Sequence, residues 1–250
     1  MSVLRVPRRL HRSSTAAGAH EPVWLFDLDN TLHDASKGIF GAIDGAMSQT
    51  VASMLDVDAD TGDRLRKEYW KRYGATVIGM VRHHGVRASV FLERTHEFDV
   101  ASLVHSEYGL MRKLACLPGR KILLTNAPLD YASRVLSALG IAHAFECIWS
   151  IDDMALQGRL RPKPSTALMR QILARIGVPA RQVVLVEDTL RNLRSARQVG
   201  MRTVHVFHPG TPFSASYSGR NLYVDVRVTS VGQLLSGQSG QRIRRKMGHV

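Results

Sequence analysis

Cysteine is nearly absent from this chain. Cys116 and Cys147 are the only two in 250 residues, with no CxxC pair and no neighbouring His ligands, so neither a disulfide framework nor a zinc site is indicated. A reducing, cytoplasmic setting is the expectation. No run approaches the roughly 18 continuous apolar residues that a membrane span needs, and no apolar stretch follows the N-terminus as in a secretory signal. Neither a membrane partner nor secretion is expected. Acids are also scarce: 21 Asp and Glu stand against 34 Lys and Arg, for a net charge of +13.

That charge resembles a nucleic-acid signal until it is located along the chain. Residues 1–20 hold Arg5, Arg8, Arg9 and Arg12, residues 237–250 hold Arg242, Arg244, Arg245 and Lys246, and neither segment contains an acid. Residues 21–236 then carry +5, which suits steering of anionic small molecules. The two tails, with Ser, Gly and Gln around their charges, read as solvated, disordered extensions. The first twenty residues also share the Arg- and Ser-rich, acid-free composition of a transit peptide, and composition alone does not separate the two. Nucleic acid is not the expected partner; a catalytically idle binder using its basic tails is the competing class.

Apolar residues at 44% and charged residues at 22% are ordinary globular values. Short apolar runs bounded by polar residues recur at Val23–Phe26, Lys121–Leu124, Cys147–Ile151, Val183–Val186 and Thr203–Phe207, as buried parallel strands do. Between the later runs lie helical patterns at Leu129–Leu139, Ser165–Ile176 and Leu190–Val199, each followed by a glycine suited to a left-handed C-cap. The alternation predicts an α/β fold with a doubly wound parallel sheet. About ninety residues separate the first two strands, far beyond a minimal crossover. There Ile39, Ile43, Met47, Val51, Leu65, Tyr69 and Tyr73 keep helical spacing, so 38–112 reads as an inserted helical cap on a core formed by 21–37 and 113–236. The Gly/Ser segment 214–220 reads as a surface loop.

Open α/β sheets bind ligands beyond the carboxyl ends of their strands. Asp27 and Asp29 follow the first run, Thr125 and Asn126 the second, Glu187 and Asp188 the fourth, and Lys163 precedes the third crossover helix. Two carboxylates leaving one buried strand together repel unless a cation or proton is shared. Alone, Thr125-Asn126 would be an ordinary turn, and Lys163 between two prolines an ordinary rigid loop.

Together, DLDNT, LLTNA, the RPKP around Lys163 and VLVEDT resemble, in order, the four motifs of haloacid dehalogenase-like phosphatases. The resemblance implies a Mg2+-dependent phosphomonoester hydrolase with an aspartyl-phosphate intermediate. Asp27 would be the nucleophile and Asp29 the acid and base. Thr125 and Asn126 would hold phosphate oxygens, with Lys163 balancing their charge. Asp27, the Asp29 backbone carbonyl and Asp188 would be the metal ligands, with Glu187 one layer back. Thr31 would stiffen the nucleophile loop. An aspartate at position 29 also disfavours dehalogenation, which needs no leaving-group acid.

DLDNTLHDAS, YWKRYGATVIGM and GRKILLTNAPLDYASRVLSALGI further resemble the pyrimidine 5′-nucleotidase branch, implying a nucleoside monophosphate as the small-molecule partner. Phosphatases for small sugar phosphates or phosphoglycolate are the alternative. No GxxxxGK[ST], GxGxxG or HExxH occurs. His83, His84, His96 and His105 lack ligand spacing and are expected at the surface or between helices.

Overall fold

A computed structural model describes residues 21–207 and 222–234. The basic segments 1–20 and 237–250 and the Gly/Ser segment 214–220 lie outside the described residues. The strands are β1 (Val23–Phe26), β2 (Arg120–Leu124), β3 (Cys147–Trp149), β4 (Ala155–Leu156), β5 (Arg159–Leu160), β6 (Val183–Glu187), β7 (Arg202–Val206) and β8 (Val226–Val228). Six form one sheet in the order β3-β2-β1-β6-β7-β8, and every neighbouring pair in it is parallel. β4 and β5 make a separate antiparallel hairpin.

β1 lies at the centre because both of its faces are apolar. Trp24 and Phe26 join one cluster with Leu114, Tyr131 and Val135, while Val23 and Leu25 join the opposite one with Leu168, Ile172 and Leu193. Each such fully buried side chain contributes about 1.5–3 kcal/mol relative to exposure. Helices α6 (Leu129–Ala138), α7 (Thr166–Ile176) and α8 (Leu190–Gln198) supply the two covering layers of this α/β fold. The α7 boundaries follow their caps: Ser165 accepts from the Leu168 N–H, and Gly177 closes the helix at φ +72°.

Between β1 and β2 lie α1 (Ile39–Leu55), α2 (Ala59–Tyr73), α3 (Thr76–His84), α4 (Ala88–Thr95) and α5 (Leu110–Cys116). Ile39 and Ile43 of α1 belong to the sheet's cluster, whereas Val51 belongs to a third cluster with Tyr69, Met80 and Phe91. Gly79 lets α3 press against α2: a Cβ there would sit 2.1 Å from the Tyr69 ring. Asp58 caps α2 by accepting from the Thr61 N–H at 2.8 Å. Among the described residues, no helix is long and apolar enough to cross a membrane.

Candidate active site

The site begins where the central strands end. The Asp27 N–H donates to Val186 O at 3.0 Å, extending the β1–β6 ladder by one residue and delivering the Asp27 carboxylate at the carboxyl edge of the sheet. Glu187 closes the adjacent β6, and Asp188 follows it. One carboxylate oxygen from each of Asp27, Glu187 and Asp188 gathers within 4.8 Å of the others. Lys163 reaches in from the other side, its Nζ 2.6 Å from Asp27 Oδ1 and 2.7 Å from Glu187 Oε2, with only 2% of the residue exposed.

Three carboxylates around one ammonium leave an excess of negative charge in a buried place. Burial, then repulsion by Glu187, pushes Asp27 up to about 7 against the pull of Lys163. Burial likewise lifts Glu187 to about 7 and Asp188 to about 6, repulsion adding to each. Lys163 is pushed up as well: burial works against its charge, but Asp27 and Glu187 outweigh it and hold the ammonium protonated. An all-oxygen donor set with surplus negative charge suits a small hard cation such as Mg2+. Glu187 is less available than Asp188, because Oε2 accepts from Lys163 and Oε1 accepts from the Thr189 N–H at 3.1 Å.

Asp29 occupies a different environment. Its Oδ1 accepts from the Tyr131 hydroxyl at 2.7 Å and lies 2.9 Å from His33 Nε2. Burial raises this carboxyl, but the bonds from His33 and Tyr131 prevail and hold it below the ordinary Asp value. Two acids only two residues apart are thus driven in opposite directions.

Thr125 and Asn126 stand beyond β2. Thr125 Oγ1 accepts from the Ala127 N–H at 3.0 Å, which shapes the turn and leaves the hydroxyl proton free to donate. The Asn126 side chain pairs with the Lys163 backbone in both directions, donating to its carbonyl at 3.0 Å and accepting its N–H at 2.9 Å. This double contact fixes the loop that carries the buried ammonium. Thr31 Oγ1 lies 3.3 Å from Asp27 Oδ2, so it touches the carboxylate directly as well as stiffening the loop. The end of α2 closes one side: a Cβ on Gly74 would meet Pro164 Cδ at 3.0 Å, and Arg191 donates to Lys71 O at 3.3 Å.

The family model for haloacid dehalogenase-like hydrolase matches residues 23–200. The chain belongs to that family. Among curated relatives of this hydrolase, phosphoglycolate phosphatase from Pectobacterium atrosepticum is 29% identical over 192 residues, 72% of this chain and 77% of that protein. Phosphate metabolism protein 8 of Saccharomyces cerevisiae is 25% identical over 199 residues, 74% of this chain but only 61% of the yeast protein. The fold is shared with CbbY from Rhodobacter sphaeroides in complex with phosphate, at TM-score 0.59 and 21% identity, covering 88% and 98% of the two chains. It is shared equally with 2-haloacid dehalogenase from Pseudomonas syringae, at TM-score 0.54 and 20% identity, covering 90% and 99%. Fold alone therefore does not choose between these chemistries within the family.

In this haloacid dehalogenase-like hydrolase every acid or base singled out in the four motifs reaches one end of the sheet. Sequence reasoning missed Tyr131 and His33, which hold Asp29, and the clamp between Asn126 and Lys163. His96 is buried between helices, its ring set edge-on to Tyr131 at 5.1 Å. His83 and His84 are exposed, as expected, although each pairs with a tyrosine hydroxyl at 2.7 Å. Tyr69, one of the residues at helical spacing in the insertion, is 5% exposed and packs within the third cluster.

Proposed function

We propose that this hydrolase is a phosphomonoesterase that acts through an aspartyl phosphate on Asp27, with Mg2+ as cofactor. The observation that carries the reading is the pair of opposed carboxylates. Asp27 sits among like charges beside Lys163, while Asp29 is held separately by Tyr131 and His33. Without a bound cation or ester the shifts run against these roles, Asp27 raised and Asp29 lowered; positive charge beside Asp27 would favour its ionised form, as a nucleophile needs.

Asp27, the Asp29 backbone carbonyl and Asp188 would hold the ion, which when bound supplies positive charge to the phosphoryl oxygens. Asp27 forms its O–P bond as the ester P–O bond breaks, and the departing alkoxide takes a proton from Asp29. The dianionic ester, arriving beside Asp29, raises that group's affinity for the proton it must donate. Water then attacks phosphorus, Asp29 accepts the water's proton, and the Asp27–phosphorus bond breaks to release orthophosphate. Thr125 and the Asn126 N–H bind the phosphoryl oxygens, and Lys163 stays protonated throughout. The helices α1–α4 act as a cap over this end of the sheet.

Two substrate classes compete. The relatives named phosphoglycolate phosphatase favour a small acidic phosphoester. The resemblance of DLDNTLHDAS and YWKRYGATVIGM to pyrimidine 5′-nucleotidases favours UMP or CMP, with Trp70, 41% exposed on α2, as the ring that stacks on the base.

The test has two parts. Phosphate release from p-nitrophenyl phosphate should require Mg2+, and acid-quenched enzyme should carry phosphate on the peptide containing Asp27. Chelator-resistant turnover, or label elsewhere, overturns the mechanism. Comparing kcat/KM for UMP, CMP and phosphoglycolate then separates the substrate classes, a tenfold advantage being about 1.4 kcal/mol of transition-state binding.

A further inference from the structure

From Met154 to Val224 the chain contains eleven Lys and Arg but only two acids, Glu187 and Asp188, both drawn into the active site. The helices α7 and α8 lie side by side in this stretch, and their apolar sides, with Leu168, Ile172, Leu193 and Ala196, are spent on the sheet. Four of their six exposed residues are arginine. Arg170 on α7 and Arg191, Arg194 and Arg197 on α8 are exposed, with Arg181 exposed just before β6. Three-residue steps along α8 advance about 4.5 Å each, so its arginines form a stripe rather than a point. Asp225 pairs with Arg197 at 3.2 Å; Arg170, Arg181 and Arg194 have no ion pair among the described residues. The segments outside the described residues contain no Asp or Glu side chain to neutralise them.

We propose that the outward face of α7 and α8 is a docking surface for duplex nucleic acid, gripped through its phosphate backbone. Charge complementarity selects a polyanion, and arginine guanidinium forks match phosphate oxygens. The same face selects the form of polyanion. Single-stranded nucleic acid is held by aromatic side chains on which bases stack, and residues 155–206 contain no Phe, Trp or Tyr. A membrane surface is favoured by apolar side chains that insert between lipids, and the apolar sides of these helices are already buried. A duplex needs neither feature. The proposal is independent of the phosphatase reading, because none of Arg170, Arg181 and Arg194 belongs to the catalytic cluster.

The experiment uses the full chain and a fluorescein-labelled mixed-sequence DNA duplex of about 20 base pairs, titrated between about 50 and 300 mM NaCl. The variant Arg170→Gln/Arg181→Gln/Arg194→Gln should bind at least tenfold more weakly, with a log–log salt slope shallower by about two to three. Its turnover of p-nitrophenyl phosphate should stay within twofold of the parent, which also reports that it is folded. The corresponding triple Arg→Lys variant should recover most of the binding. A tail variant, Arg242→Gln/Arg244→Gln/Arg245→Gln, should lose less than the helix variant. The proposal is overturned if the parent does not bind the duplex at the lowest salt, or if the helix variant binds within twofold of the parent. It is equally overturned if the tail variant loses more, or if a single strand or phosphatidylserine vesicles bind the same arginines more tightly than the duplex does.

Discussion

The Tyr131 hydroxyl donates to Asp29 Oδ1 at 2.7 Å across 102 residues of sequence, joining the start of α6 to the loop after β1. Tyr131 is itself buried, with its ionisation pushed far out of reach by burial and by the Asp29 charge, so it acts only as a donor. A hydrogen bond to a charged group contributes about 1.5–3 kcal/mol. Tyr131→Phe should therefore lower kcat on alkyl phosphates by about tenfold to a hundredfold, and KM much less. Aryl phosphates, whose leaving group needs little protonation, should lose less in the first step. Equal losses on both would show that the hydroxyl supports the fold rather than Asp29.

Lys163 is the only cation bonded to both Asp27 and Glu187 among the described residues, and it is itself buried. Removing one partner of a buried pair leaves uncompensated charge, which typically costs about 3–5 kcal/mol. Lys163→Ala should approach that loss only at alkaline pH: above about pH 7 the parent's Asp27 and Glu187 carboxyls ionise beside the ammonium, whereas in the variant, lacking its pull, they resist ionisation further. Near pH 5 both are protonated and the loss should shrink. Denaturant melts of the metal-free protein at the two pH values check this; a penalty independent of pH would mean that the cost comes from packing alone.

The same raised carboxyls set how pH and metal act together. Between their ordinary values near 4 and their folded values of about 6 to 7, Asp27, Glu187 and Asp188 bind more protons folded than unfolded. Their contribution to stability therefore falls as pH rises through that window in metal-free protein. Mg2+ binds the ionised carboxylates and releases those protons. The rise in Tm caused by a fixed Mg2+ concentration should be small at pH 5 and larger at pH 8. A larger rise at pH 5 would exclude these acids as the ion's site.

The four strand-end motifs were legible because their chemistry sits within a few residues of buried apolar runs, and all five of those runs became strands. β8 was not legible: it has three residues, and exposed Arg227 stands between buried Val226 and Val228 at the sheet's edge. The β4–β5 hairpin, with two residues per strand, is too short to leave any period. Ile151 looked like the end of β3, yet Ser150 caps a turn of 3-10 helix there and ends the strand at Trp149. Tyr131 and His33 were hidden for another reason. Their role depends on which face of α6 meets the Asp29 loop, and spacing along the chain does not encode that contact.

The division of labour between Glu187 and Asp188 gives the last prediction. Glu187 has both oxygens engaged, by the Lys163 ammonium and the Thr189 N–H, whereas Asp188 Oδ1 accepts from the Thr189 hydroxyl at 3.0 Å and Asp188 pairs with no cation among the described residues. With both Glu187 oxygens engaged and no cation paired to Asp188 among the described residues, Asp188 is the expected ligand of the two. Asp188→Ala should raise the Mg2+ concentration needed for half-maximal activity by about tenfold to a hundredfold, equivalent to about 1.4–2.8 kcal/mol of lost binding. Glu187→Gln keeps an oxygen for Lys163 and removes one of the repelling charges around Asp27. Its Mg2+ requirement should stay within about threefold of the parent, which is under 1 kcal/mol, while Lys163 loses an ionic partner and kcat falls. Activity titrated with Mg2+ for both variants, with thermal melts as a control for folding, separates the two acids. If Glu187→Gln carries the large shift and Asp188→Ala does not, the ligand is Glu187, and the ammonium must give up one of its bonds when the ion binds.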